Sequence, residues 1–183
     1  YNMIDRIYLG HIRGIGSMAL TGIGLTFPVI TIITAFALCF GGGGTPIFSI
    51  ARGAGDEDKA RTVMGNSFFL LLCSSVILFA VCMLFKRPLL FLFGASEASY
   101  VYANAYLRIY LLGTLFSMVT LGMNGYINAQ GFPRIGMGTT VIGAILNMLL
   151  DPLFIFVFDM GVAGAALATV LSQAVSFLWV MRF

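Results

Sequence analysis

The chain has 183 residues, of which 60% are hydrophobic and 9% are charged, whereas a soluble domain carries about 25% charged residues. This composition excludes an ordinary soluble domain and indicates a membrane protein. The formal net charge of +3 does not indicate a nucleic-acid partner, because the ten Lys and Arg residues are scattered singly or in pairs and form no basic stripe.

Five long stretches between charged residues, interrupted only by Asp151, predict membrane spans. Each has at least about 20 residues, which is the length a helix needs to cross a hydrocarbon core of about 30 Å. Helices are favoured over strands because backbone groups in lipid must be satisfied within the segment. The predicted spans are 18–50, 61–85, 100–128, 134–158 and 161–182, preceded by a partial span at 1–9. The predicted fold is therefore all-α and polytopic.

Both ends of the sequence suggest a piece of a longer protein. The chain opens on YNMIDRIYLGHI without an initiator Met, and it stops at SFLWVMRF, where a span meets an Arg. Between the spans, ARGAGDEDKARTVMG at 51–65 predicts a solvated hairpin, and KRPLLFLFGASEASY at 86–100 predicts a short apolar segment lying on the membrane. Counting Lys and Arg on the two sides gives five against four, which does not decide the orientation.

The glycine run GGGG at 41–44 lacks the Gly-Lys-Ser/Thr ending of a phosphate-binding loop and closes a predicted span. We therefore expect a helix end or close helix packing there. Cys39, Cys73 and Cys82 lie within apolar spans without CxxC spacing, so we interpret them as small hydrophobic residues.

Polar residues follow helical spacing in three of the spans, which predicts three polar faces. In the fourth span, counting the partial one as the first, the face comprises Tyr106, Tyr110, Gly113, Ser117, Thr120, Asn124 and Asn128. In the next span it comprises Thr140, Gly143, Asn147 and Asp151, and in the last Thr169, Ser172, Gln173 and Ser176. Small and hydroxyl residues also occur where membrane helices touch, so contact between helices remains the alternative for the single hydroxyls and glycines.

Asp151 favours a cavity over simple helix contact. A charged side chain near the bilayer centre costs about 2.5–3.5 kcal/mol even on the lenient insertion scale, so it should face a protein-lined or watery space. Asn147 lies one helical turn before it, and Pro152 removes the hydrogen-bond partner of the Met148 carbonyl. These oxygens suit a monovalent cation or a proton better than a transition metal. Asp159, at the end of a span, needs no special role.

Six segments together resemble the N-terminal lobe of prokaryotic multidrug and toxic compound extrusion (MATE) transporters. They are YNMIDRIYLGHI, LTGIGLTFPVITII, GDEDKARTVMGNS, INAQGFPRIGM, ILNMLLDPLFIF and GVAGAALATVLSQ. The resemblance extends over essentially the whole chain and is specific to the set. The resemblance implies a twelve-helix protein of two six-helix lobes related by a pseudo-twofold axis. Residues 1–183 would then form the N-lobe, with its first helix incomplete.

The resemblance also implies a site and an activity. Members expel cationic or amphipathic organic compounds in exchange for Na⁺ or H⁺, by alternating access and without a cofactor. The implied cation or proton site comprises Asp5, Asn147, Asp151 and Thr169, where Na⁺ is the possible metal ion. Tyr106, Tyr110, Asn124 and Gln173 form the predicted cavity-lining network. Of these residues, Asp5 rests on the resemblance alone.

Further expectations concern partners, location and alternatives. We expect drug-like small molecules and the lipid bilayer as partners, multi-pass insertion in the plasma (inner) membrane, and a full-length chain that acts as a monomer. A flippase for lipid-linked oligosaccharide or polysaccharide is the alternative within transport, although it should carry a more cationic cavity. An intramembrane aspartyl protease using Asp5 and Asp151 is disfavoured, because the sequence lacks a Gly-x-Gly-Asp motif.

Overall fold

The computed structural model of the protein describes Tyr8 and residues 16–183, and this part is helical throughout, without a strand. The predicted partial span at 1–9 therefore lies outside the described residues, apart from Tyr8. The helices are α1 (Gly16–Ala37), α2 (Gly43–Gly53), α3 (Glu57–Leu84), α4 (Lys86–Leu92), α5 (Glu97–Leu112), α6 (Thr114–Ala129), α7 (Pro133–Pro152) and α8 (Gly161–Arg182). A π-helical turn at Leu38–Gly42 joins α1 to α2, and another at Leu153–Val157 extends α7. The all-α prediction is confirmed.

Four stretches of the described chain are long and apolar enough to cross a membrane: Gly16–Gly53, Glu57–Leu84, Pro133–Val157 and Gly161–Arg182. Taken together as one span, α5 and α6 meet the same criteria of length and composition, and they are bent by 58° at a break around Gly113. The expectation of one continuous helix through 100–128 is therefore corrected. The span is two helices, and its polar residues are divided between them.

The outer surface of the bundle is apolar, as expected for a protein that faces lipid. Along α3, for example, Phe69, Val76, Ile77 and Leu84 are all exposed. The inner side holds large buried side chains from α1, α3, α5 and α6, which are packed into one cluster. Because lipid is as apolar as these exposed side chains, their exposure carries no cost in a bilayer.

The glycine run packs closely against neighbouring helices, as expected. A Cβ atom on Gly41 would overlap the backbone of Gly122 on α6, so the two backbones meet at this point without a side chain between them. A Cβ atom on Gly44 would overlap Tyr126 and Ser67, whose hydroxyls share a hydrogen bond of 2.6 Å. The run therefore lets α6 approach the α1–α2 junction more closely than larger residues allow.

The turns at the two ends of the bundle allow the orientation to be tested. The hairpin before α3 and the turn before α5 are separated by one crossing, and Glu57 and Ala98 are exposed within or beside them. We expect Glu57→Cys to react with an impermeant maleimide only after permeabilisation, and Ala98→Cys to react in intact cells. The hairpin is placed in the cytoplasm on the family resemblance. Both variants are made after replacement of Cys39, Cys73 and Cys82 by Ala, and labelling of both from one side would contradict this topology.

Candidate functional site

The connection between α7 and α8 places the end of α7 against the first turns of α8. After Asp151 and Pro152 the chain continues as the π-helical turn Leu153–Val157, and the Met160 amide donates to the Phe154 carbonyl at 3.1 Å. The same carbonyl approaches α8 so closely that a Cβ atom on Gly164 would lie 2.7 Å from it. A glycine at this point therefore brings α8 near the polar residues of α7.

Two residues with a left-handed backbone conformation complete this tight connection. Asp159 has a φ of 52° and Gly161 a φ of 53°, in a region that Gly, Asn and Asp enter most readily. Asp159 is also exposed. These observations explain Asp159 as a turn residue at the surface.

Asn147, Asp151 and Thr169 form a buried cluster between α7 and α8. Asn147 and Asp151 are 0% exposed and Thr169 is 1% exposed. The Nδ2 group of Asn147 donates to Asp151 Oδ1 at 3.2 Å and to Thr169 Oγ1 at 3.4 Å. Its own Oδ1 atom is buried and has no hydrogen-bond partner among the described residues. The cluster therefore gathers carboxylate, amide and hydroxyl oxygens, with one amide oxygen still able to accept a bond or bind a cation.

A polar cavity of about 270 Å³ lies between α1, the α5–α6 pair, α7 and α8. It is lined by Ile30, Thr34, Tyr110, Ser117, Thr120, Leu121, Asn124, Thr139, Thr140, Gln173 and Ser176. Gln173 follows Thr169 by one helical turn on α8, so the cavity and the buried cluster are adjacent along that helix. Exposed Leu121 and Thr140 show that the cavity reaches the surface of the described bundle.

The lining includes polar atoms that the described residues leave unsatisfied. Thr120 Oγ1, Asn124 Oδ1 and Gln173 Oε1 are buried and have no hydrogen-bond partner in the described part of the chain. Buried polar groups normally have a partner in the protein or in bound water. The cavity can therefore hold water or a ligand that donates hydrogen bonds.

The structure brings most of the predicted site residues into these two places. Asn147, Asp151 and Thr169 meet in the buried cluster, whereas Tyr110, Asn124 and Gln173 line the cavity. Tyr106 is fully buried and stacks on Tyr110, with ring centroids 5.9 Å apart. Asp5 lies outside the described residues. The role of any of these side chains in ion binding stays a prediction.

Two polar residues of the predicted face on α8 donate hydrogen bonds to backbone carbonyls. Ser176 donates to the Thr139 carbonyl of α7 at 3.2 Å, and Ser172 donates to the Ala168 carbonyl of its own helix at 2.8 Å. Thr34 and Thr139 line the cavity but were not predicted. Thr139 precedes Thr140, which fits the spacing of the polar face better, and on α1 the pair Thr31 and Thr34 is shorter than the polar faces of the other spans.

A polar cavity between apolar, span-length helices, beside a buried carboxylate, is typical of multi-pass membrane proteins of the transporter class. The MatE family model matches residues 1–153. The chain belongs to this family, whose members are transporters and not enzymes.

Individual relatives give the same result. Multidrug export protein MepA from Staphylococcus haemolyticus (strain JCSC1435) is 29% identical over 179 residues, which are 98% of this chain and 39% of that protein. MepA from Staphylococcus aureus (strain MRSA252) is 28% identical over the same length. This chain therefore spans about two fifths of the length of the curated relatives it matches.

Solved structures agree along the whole chain. The crystal structure of MATE in the bent conformation has a TM-score of 0.93 and 32% identity, covering 100% of this chain and 40% of its own. An inward-facing multidrug resistance MATE family transporter of the MOP superfamily has a TM-score of 0.93, with 32% identity and 41% of its chain covered. The similarity therefore corresponds to one lobe of these transporters.

Proposed function

We propose that the complete gene product is a secondary active antiporter that exports cationic or amphipathic organic compounds from the cell across the plasma membrane. The observation that carries this proposal is the buried Asn147–Asp151–Thr169 cluster, which lies one helical turn from the polar cavity. The names of the MepA relatives support multidrug export as the activity. The transporter acts as a monomer, and its second lobe completes the substrate pathway.

The cluster suits Na⁺ or H⁺ as the coupling ion. Carboxylate, amide and hydroxyl oxygens are hard ligands that favour such cations over transition metals. Na⁺ would be held by oxygens of Asn147, Asp151 and Thr169, whereas H⁺ would be held by the Asp151 carboxylate. Asp5 is the further ligand that the family resemblance implies. Either ion neutralises the buried negative charge, which is costly in a membrane.

Coupling requires that ion and drug prefer different states of the transporter. A ligand with equal affinity for the inward-facing and outward-facing states shifts neither population. Ion binding at the cluster favours one state, in which the adjacent cavity is reshaped and the compound leaves. Because Gln173 and Thr169 lie on the same face of α8, a small movement of this helix affects both places at once.

A flippase for lipid-linked oligosaccharide or polysaccharide is less well supported. Such substrates carry phosphates, but none of the residues that line the described cavity is charged. Arg108, in the middle of the span formed by α5 and α6, is exposed on α5 and does not line it. The cavity is instead rich in hydrogen-bond acceptors, which suit a cationic donor.

The proposal is tested with the complete gene product in proteoliposomes that contain a fluorescent cationic dye. We expect dye movement to require an imposed Na⁺ gradient or an imposed proton gradient, and the gradient that works identifies the coupling ion. Liposomes without protein are the control. Movement of a lipid-linked oligosaccharide without gradient-driven dye movement would contradict export of cations and support the flippase.

The same assay tests the ligands around Asp151. We expect Asn147→Ala and Thr169→Ala each to weaken the apparent affinity for the coupling ion roughly fivefold, since one polar partner contributes about 1 kcal/mol. Ser172→Ala is the matched control, because this residue is equally buried on α8 but donates only to its own helix. A loss in the control as large as in Thr169→Ala would indicate a structural role for the hydroxyls.

A further inference from the structure

A second pocket, of about 360 Å³, lies at the hairpin end of the bundle between the start of α3 and the ends of α6 and α8. It shares no lining residue with the polar cavity. Its walls are mostly apolar and include Met64, Phe68, Met123, Ile127 and Met181. Its volume lies within the range of about 300–1,000 Å³ that is usual for pockets that bind small molecules.

One cation lies at this pocket without an acidic partner. Arg61 lines it and is exposed, and neither of the two salt bridges in the described part of the chain includes Arg61. The nearby Glu57 carboxylate instead approaches Arg52 at 3.8 Å. The side chain of Asp56 accepts from the Lys59 amide at the start of α3. The guanidinium of Arg61 is therefore available to an external anion.

The position of Arg61 suits the boundary between water and lipid. It lies four residues into α3, or about 6 Å along the helix axis from Glu57. The pocket extends from there along the apolar side chains toward the bilayer interior, with the Gln130 amide as a second polar group in its lining. The hydroxyl of Tyr126, which also lines the pocket, donates to Ser67. This order of a cation, an amide and then apolar walls matches a phosphate followed by an acyl chain.

The charge balance at this end also favours an anion. The rings of Phe132 and Phe183 are 5.1 Å apart, so the turn before α7 lies beside the end of α8. The charged residues at this end are Arg52, Lys59, Arg61, Arg134 and Arg182, against Asp56, Glu57 and Asp58. Cations near a membrane surface attract anionic lipids.

We propose that this pocket binds one anionic phospholipid, with its phosphate at Arg61 and Gln130 and one acyl chain against Met64, Phe68 and Met123. The planar guanidinium can donate two parallel hydrogen bonds to a phosphate. In a zwitterionic lipid the headgroup's own cation already neutralises the phosphate charge, so an anionic lipid should be preferred. The bound chain contacts α3, α6 and α8 together and so stabilises their packing. Since α8 also carries Thr169, the lipid supports the helix on which the candidate ion site is built.

Native mass spectrometry of the complete gene product tests this proposal, with phosphatidylglycerol and phosphatidylcholine of identical acyl chains as probes. We expect the unmodified protein to retain phosphatidylglycerol preferentially, and Arg61→Gln to reduce that preference at least fivefold. Lys59→Gln is the matched control, because Lys59 lies on the same turn of α3 but does not line the pocket. It should keep the preference.

A second pair of variants tests the acyl chain. Gly65 lines the pocket, and a Cβ atom there would meet nothing within 4 Å. We expect Gly65→Leu to fill the pocket and abolish retention of both lipids at this site, whereas Gly65→Ala should retain phosphatidylglycerol. Thermal unfolding without added lipid verifies that all four variants are folded.

Four outcomes would overturn the proposal. Unchanged preference in Arg61→Gln would show that Arg61 does not bind the phosphate. Unchanged retention in Gly65→Leu would show that the acyl chain does not occupy the pocket. Displacement of phosphatidylglycerol by glycerol phosphate would identify a site for a free phosphate. No retained lipid in the unmodified protein would show that another segment covers the pocket. None of these results depends on export activity.

Discussion

Replacement of Asp151 by Asn should reduce ion-driven efflux to background while the protein remains folded and inserted. The amide is nearly isosteric with the carboxylate, so its oxygen can still accept the Asn147 Nδ2 bond that Asp151 Oδ1 accepts at 3.2 Å. It cannot carry a negative charge or exchange a proton, and it avoids the cost of a buried charge. Efflux of a fluorescent cationic dye from cells or proteoliposomes measures the effect, with membrane expression quantified for each variant.

Asp159→Asn is the control for this substitution and should be close to silent. Asp159 is exposed and has a φ of 52°, a left-handed conformation that Asn adopts as readily as Asp. The two variants thus make the same chemical change eight residues apart. Normal efflux by Asp151→Asn at normal expression would mean that the Asn147–Asp151–Thr169 cluster only holds α7 against α8.

Replacement of Gly41 by Ala should cause the largest loss of stability among the single substitutions considered. The added methyl group would overlap the backbone of Gly122, and backbone atoms cannot move aside as a flexible side chain can. Overpacking of this kind typically costs about 1–3 kcal/mol. The apparent melting temperature of the purified complete gene product in detergent should fall by several degrees.

Gly42→Ala provides the control at the next position. A Cβ atom on Gly42 would meet nothing within 4 Å, and Ala is favoured over Gly within a helix by up to about 1 kcal/mol. This variant should therefore be as stable as the unmodified protein or slightly more stable. Equal melting temperatures for Gly41→Ala and Gly42→Ala would show that α6 has room to retreat from the glycine run.

The sequence was sufficient to predict the all-α, membrane-spanning character of the chain and most of the polar residues near the cavity. Long uncharged runs locate membrane helices well because the bilayer leaves few alternatives. Asp151 could be singled out because burying a carboxylate in such an apolar run costs free energy unless the side chain faces a polar site. Its neighbours Asn147 and Thr169 are on two different helices, and the MATE resemblance was needed to connect them.

The breaks in the helices could not be predicted from the same patterns. Tyr110, Ser117 and Asn124 follow helical spacing across Gly113, so the span looked continuous although the structure bends it by 58°. Both sides of the bend line the same cavity, which explains why the polar spacing is kept. The π-helical turns at Leu38–Gly42 and Leu153–Val157 lie at close backbone contacts, of Gly41 with Gly122 and of Phe154 with Gly164, which no local pattern records.

The bend at Gly113 also relates the cavity to the thickness of the bilayer. With 16 residues each, α5 and α6 are about 24 Å long, and at this angle the pair is about 42 Å from end to end, or roughly 6 Å shorter than a straight helix. A thicker bilayer favours a straighter pair and a thinner bilayer a sharper bend. A Cβ atom on Gly113 would lie 2.8 Å from Gln173 Oε1. A change in the angle between α5 and α6 therefore moves the backbone that contacts Gln173, a side chain that lines the cavity.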